Sequence, residues 1–143
     1  MSRGIILRLS EKQWVMRKDY ISVRNLEEQG FDLRERNKVL PSGNETVKHF
    51  VVKALIGRIL HERGYGFVTE APISVNGSVA YIDVFDYSNG IAYEVQSVVH
   101  KGIKEAKKEL FECEAIKDVI IVDLDEISND IFIAYRQLQK IVV

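Results

Sequence analysis

The chain has 143 residues, 46% of them hydrophobic and 29% charged, with a net charge of −1, which is the core and surface of a single soluble domain. No apolar run is long enough to span a membrane, and the apolar stretch near the amino terminus breaks too early for a secretory signal. Cys113 stands alone, which excludes a disulfide framework or a cysteine zinc cluster, so the expected location is the cytoplasm. Residues 1–63 hold 13 Lys and Arg against 8 Asp and Glu, and the remainder holds 7 against 13. A basic front half suits an anionic partner, while the acidic half suits a cation or simple solvation.

Residues 1–40 read as an extension ahead of the core. Ile5–Leu9 fits a short strand, and Ser10-Glu11-Lys12-Gln13 has the form of a capping box. A helical stripe of Trp14, Val15, Lys18, Ile21 and Leu26 runs from there to a stop at Gly30. Arg34–Lys38 is a charged connection, read as a solvated linker or a contact to DNA phosphates.

A second helix opens after Pro41-Ser42-Gly43. Its core stripe is Val47, Phe50, Val51, Ala54, Leu55 and Ile59, and it ends near Arg63-Gly64. Ser42 and Glu45 form another capping box, so Glu45 serves either as a cap or as a metal-site acid. His49 reads as a surface or interface histidine, because no second His or Cys lies at ligand spacing. Phe67–Val75 is a strand, and Asn76-Gly77 offers a hairpin turn that places Glu70 opposite Asp83. Pro72 inside it signals an edge strand or a register-shifting bulge.

The stretch Val79–Gln96 is the most informative. It reads as two strands, with Asn89-Gly90 as a two-residue turn. Counting outward sets Asp83 opposite Gln96 and Phe85 opposite Glu94, so Asp83, Glu94 and Gln96 share one face. Carboxylates on otherwise apolar strands are costly without a partner, and a divalent ion is one candidate. Next comes a lysine-rich helix over Lys101–Ala115, with Ile103, Ala106, Leu110 and Phe111 on its apolar stripe. Val119–Val122 reads as a strand buried on both faces. The last helix covers Asp130–Ile141, with Ile131, Ala134, Tyr135, Leu138 and Ile141 inward.

Helix, three strands, helix and strand, with Asp83, Glu94 and Gln96 in these places, resemble the PD-(D/E)XK nucleases. That superfamily includes many restriction endonucleases and the archaeal Holliday-junction resolvases. The resemblance covers the segment Glu45–Val122 and implies an α/β fold: a restriction-endonuclease-like αβββαβ core with a central mixed sheet flanked by helices. Residues 41–124 would be the core of a single domain, and residues 125–143 a C-terminal helix.

Asp83 matches the family's first acid, Glu94 its second, and Glu45 a helix acid of the resolvase branch. Gln96 falls where lysine is usual, although some active members carry glutamine there. The resemblance implies Mg2+ or Mn2+ held by Asp83, Glu94 and the Val95 carbonyl, with Glu45 and Glu70 as further acids. Either the Gln96 amide orients the attacking water, or Lys101 or Lys104 reaches in from the following helix for the missing lysine. Lys48, Lys53, Lys101, Lys104 and Lys108 are the expected DNA contacts. The implied activity is hydrolysis of duplex or branched DNA by a homodimer, with no membrane partner. The alternative is an inactive domain of the same fold that binds nucleic acid or a protein.

Overall fold

The computed structural model describes residue 24, residues 26–28, 30–75, 77–97, 101–111 and 113–143. The strand expected at Ile5–Leu9 and the first capping box lie outside the described residues. A four-stranded sheet runs in the order β1 (Phe67–Val75), β2 (Ser78–Asp86), β3 (Ile91–Gln96), β4 (Asp118–Asp123). The first two neighbours pair antiparallel, and β3 pairs with β4 in parallel. Around the sheet stand α1 (Val47–Glu62), α2 (Ile103–Leu110) and α3 (Ile131–Ile141), giving a mixed α/β protein in the element order expected above. None of the described helices is long and apolar enough to cross a membrane.

The sheet separates two apolar clusters. Val84, Tyr93, Val95 and Val122 pack with α1 and α3, while Val68, Phe85, Ala92 and Val119 pack with Leu26, Phe31, Leu33 and Phe111. Each strand therefore feeds both clusters through its alternation. The expectation that β4 is buried on both faces holds for Val119 and Val122, whereas Ile120 and Ile121 are half-buried because β4 is a sheet edge.

On the second face the chain enters through a glycine stop. Gly30 takes a φ of +95°, Phe31 N donates to Leu26 O at 3.0 Å, and Gly30 N donates to Glu27 O at 3.0 Å. These are the two bonds of a Schellman ending, and Leu26 and Phe31 share a cluster as such endings favour. Residues 37–40 then run beside β1. Asn37 N donates to Phe67 O, Thr69 Oγ1 donates to Lys38 O, and Leu40 N donates to Thr69 Oγ1. The polar backbone of that edge is thereby satisfied.

Four expectations need correction. Of the predicted α1 stripe only Ile59 is fully buried and Val47 is 82% exposed; the buried face is Val52, Lys53, Ile56, Gly57, Ile59 and Leu60. The helix is apolar on most of its circumference, because it touches both the sheet and α3, so periodicity could not choose the face. α2 stops at Leu110 rather than Ala115, and only Phe111, its C-cap, is fully buried. In α3 the predicted stripe holds for Ala134 and Leu138 but not for Ile131, which is 49% exposed.

The β2–β3 turn is also longer than two residues. Asp86 pairs with Ile91, leaving the four-residue loop 87–90. The buried Asp86 carboxylate accepts from Asn89 N at 3.0 Å and Asn89 Nδ2 at 2.9 Å, and Gly90 N donates to Asp86 O at 2.8 Å. Gly90 has a φ of +74°, and a Cβ there would lie 2.8 Å from Ala115 O. The register slips by two residues, which preserves parity. By contrast Pro72 causes no slip: it sits in edge strand β1 opposite Tyr81, in the predicted register.

Candidate functional site

The β2–β3 ladder ends with Val84 opposite Tyr93, and one step beyond stand Asp83 and Glu94. There the carboxylates take over the role of ladder carbonyls. Asp83 N donates to Glu94 Oε2 at 3.0 Å, and Val95 N donates to Asp83 Oδ2 at 2.8 Å. Such bonds become charge-assisted, and stronger than the amide pairs they replace, when the carboxyl is ionised. Glu94 is 2% exposed. Burial, then the charge of Asp83 and a hydrogen bond with it, push the Glu94 carboxyl up to about 8; the Asp83 N–H and Lys107 offset only part of this. Two acids thus meet between parting strands, a like-charge contact that favours holding a proton or taking a cation.

Strand alternation breaks at the same level. Val68 and Ala71 of β1 lie in one cluster although three residues apart, and so do Ile82 and Phe85 of β2. Between them, Glu70 and Asp83 are the one facing pair missing from an otherwise continuous register. Glu70 takes a φ of +50°, a left-handed conformation that costs a residue with a Cβ about 1–2 kcal/mol.

The Glu70 side chain is turned to α1, where Lys53 holds it. Lys53 is fully buried, and its Nζ reaches Glu45 Oε1 at 3.1 Å, Glu45 Oε2 at 2.9 Å and Glu70 Oε1 at 2.9 Å. Three ammonium donors meet three carboxylate oxygens. Burial would raise Glu45, but the bonds from Lys53, Ser42 N and His49 outweigh it and hold its carboxyl below the usual range. The bond from Ser42 N to Glu45 Oε1, 2.8 Å, keeps half of the expected capping box, while Thr46 is the actual N-cap and accepts from His49 N.

His49 joins the two groups. Its Nδ1 is 2.7 Å from Glu45 Oε2, and its Nε2 is 3.6 Å from Asp83 Oδ2. Rather than a surface or interface histidine, His49 is half-buried, and its partners are carboxylates on β2 and in the turn before α1 instead of a second His or Cys.

The expected acids therefore divide in two. Asp83 and Glu94 come together with the Val95 backbone, through its N–H. Glu45 and Glu70 are brought to Lys53 instead, and among the described residues no group of three or more His, Cys, Asp or Glu side chains is arranged to hold a metal ion. Gln96 lies half-buried at the end of β3, opposite Asp123.

The lysine that reaches the acids is Lys107, whose Nζ is 3.2 Å from Glu94 Oε1 and 5.6 Å from the centre of the Phe111 ring. Lys104 points elsewhere, as it and Lys108 approach Asp118 Oδ1 at 3.9 and 3.0 Å. Lys107 is turned about 100° around the helix from Lys108 and about 60° from Lys104, which carries it to Glu94 rather than Asp118. Of the expected phosphate contacts, Lys53 is unavailable because it is enclosed. Lys101, Lys104 and Lys108 are exposed, and Lys48 is half-buried beside a cleft between α1 and α3. Comparisons with protein-family models, with curated proteins and with solved structures find no match.

Proposed function

We propose that this protein is a metal-dependent phosphodiesterase acting on DNA, its core of the restriction-endonuclease-like class. The observation that carries the reading is the meeting of Asp83 and Glu94 where β2 and β3 part. Two hard carboxylates suit a small divalent ion such as Mg2+ or Mn2+, which takes one or two of them and keeps most of its waters. They do not suit an ion caged wholly by protein, since Lys53 occupies Glu45 and Glu70. When bound, such an ion supplies a nucleophilic water at neutral pH and offsets charge building on the phosphate.

The chain's own residues do the rest. Glu94 would give up its proton on becoming a ligand, so ion affinity would rise with pH up to about 8. Lys107 stands beside Glu94 with a donor to spare for a phosphate oxygen, the positive charge that Gln96 lacks. Glu45 and Lys53 fix the His49 ring against Asp83.

The test is cleavage of supercoiled plasmid and of four-way-junction DNA in Mg2+ or Mn2+. Cleavage is expected in the wild type, background levels in Asp83→Ala and Glu94→Ala, and a loss of about 100-fold in Lys107→Met. A second reading, an inactive DNA- or protein-binding domain, is favoured by one observation: Lys53 and Lys107 together already pair with Glu45, Glu70 and Glu94. DNA binding without cleavage in either metal decides for it.

A further inference from the structure

The outer half of β2 carries an aromatic surface beside the two acids. Tyr81 and Val79 are each 59% exposed. Ala80 and Ile82, which alternate with them, pack in the cluster of Phe31 and Phe85. Val79 and Tyr81 are therefore turned to the opposite face, the one from which α1 brings His49 to Asp83. Across the hairpin Tyr81 stands opposite Pro72, and Val79 opposite Ser74, so the cross-strand neighbours are uncharged. The strand edge is open as well. β3 pairs with β2 only from Val84 to Asp86, and among the described residues no strand lies beside Ser78–Ile82 on that side. Single exposed apolar side chains are ordinary, but Tyr81 is set apart by its place, two residues and about 7 Å along the strand from Asp83.

We propose that Tyr81 stacks on an unpaired base of the DNA whose backbone meets Asp83 and Glu94, and so selects strands with unpaired nucleotides over a closed duplex. The inference rests on the hydrolase reading above, which brings the DNA backbone to these acids. A base hangs from the sugar next to its phosphate, so a phosphate at the acids carries the adjoining base to the level of Tyr81. Every base has a π-face, and stacking on an aromatic side chain holds single strands whatever their sequence. Inside a duplex both faces are covered by neighbouring bases, and reaching Tyr81 would first require unstacking.

Charge favours this mode over a grip on phosphates. Residues 64–100 contain no Lys or Arg, so the β1–β2 hairpin has no cation with which to follow a duplex backbone. What it presents beyond the acids is a ring on a paired strand, a rigid contact that loses little side-chain freedom on binding.

Fluorescence anisotropy on the full chain in Ca2+ tests this, with a labelled single strand, a duplex carrying an unpaired tail, and a blunt duplex of the same sequence. The two ligands with unpaired nucleotides should bind about 10-fold or more tighter than the blunt duplex. Tyr81→Ala should remove most of that preference without weakening blunt-duplex binding, while Tyr81→Phe and Tyr81→Trp keep it. 2-Aminopurine in the tail should be quenched on binding the wild type and not on binding Tyr81→Ala. Equal affinity of the wild type for tailed and blunt duplex overturns the proposal, as does a Tyr81→Ala protein that keeps the preference. Neither readout needs turnover: stacking without hydrolysis in Mg2+ or Mn2+ supports the role of Tyr81 and counts against the hydrolase reading alone.

Discussion

Two groups of acids lie side by side in this molecule and are treated in opposite ways. Glu45 and Glu70 enclose Lys53, so that every ammonium donor meets a carboxylate oxygen. Asp83 and Glu94 instead face each other, with one lysine at the rim and backbone N–H groups as their main partners. Glu45, half-buried, is held down, and Glu94, fully buried, is pushed up to about 8. Where the chain supplies its own cation, the acids serve as scaffold. Where the supply falls short, charge is left over for chemistry.

The largest expected effect comes from the less compensated pair. Because the folded-state value of Glu94 is raised from 4.5 to about 8, the folded protein keeps a proton that the unfolded chain releases in this window. Stability therefore falls as pH rises from 4.5 to 8, by about 1.4 kcal/mol per unit for one group, and levels off above. Urea titrations across this range should show the slope in the wild type and lose most of it in Glu94→Gln. A wild type with no such slope would remove the difference between the two groups.

Lys53→Met probes the other side. Stripping the cation from two enclosed carboxylates should cost about 3–5 kcal/mol in the same titrations. Adding Glu45→Gln and Glu70→Gln should restore much of it. If Lys53→Met alone is harmless, the ion triad is not the scaffold described above. The smallest effect is expected from His49→Ala, about 1 kcal/mol for its bond to Glu45. Its value lies in the coupling: a double-mutant cycle between Glu45→Gln and Asp83→Asn should show an interaction that disappears in the His49→Ala background.

Much of this arrangement was legible from residue order. The β1–β2 register, the glycine stop at Gly30 and the approach of Asp83 to Glu94 all follow from local rules on turns and alternation. What escaped depends on contacts distant in sequence. A lysine within a helix reads as solvated, and Lys53 is an interior residue because Glu45 and Glu70, the latter brought from β1 with a left-handed backbone, both meet it. The four-residue turn arises from Asp86 capturing Asn89, a side-chain bond that competes with the tighter hairpin. The choice of Lys107 over Lys104 rests on how α2 is rotated, and a short helix starting after Gly102 gives little pattern from which to read it.

The replacement of ladder carbonyls by carboxylates has a practical consequence. The amides of Asp83 and Val95 donate straight to the two acids, so their protons sense ionisation there directly. In a 15N-edited NMR spectrum these two resonances should shift together on titration, and move again when Mg2+ is added. Both events can thus be followed in the unmodified protein, without substrate and without a turnover assay.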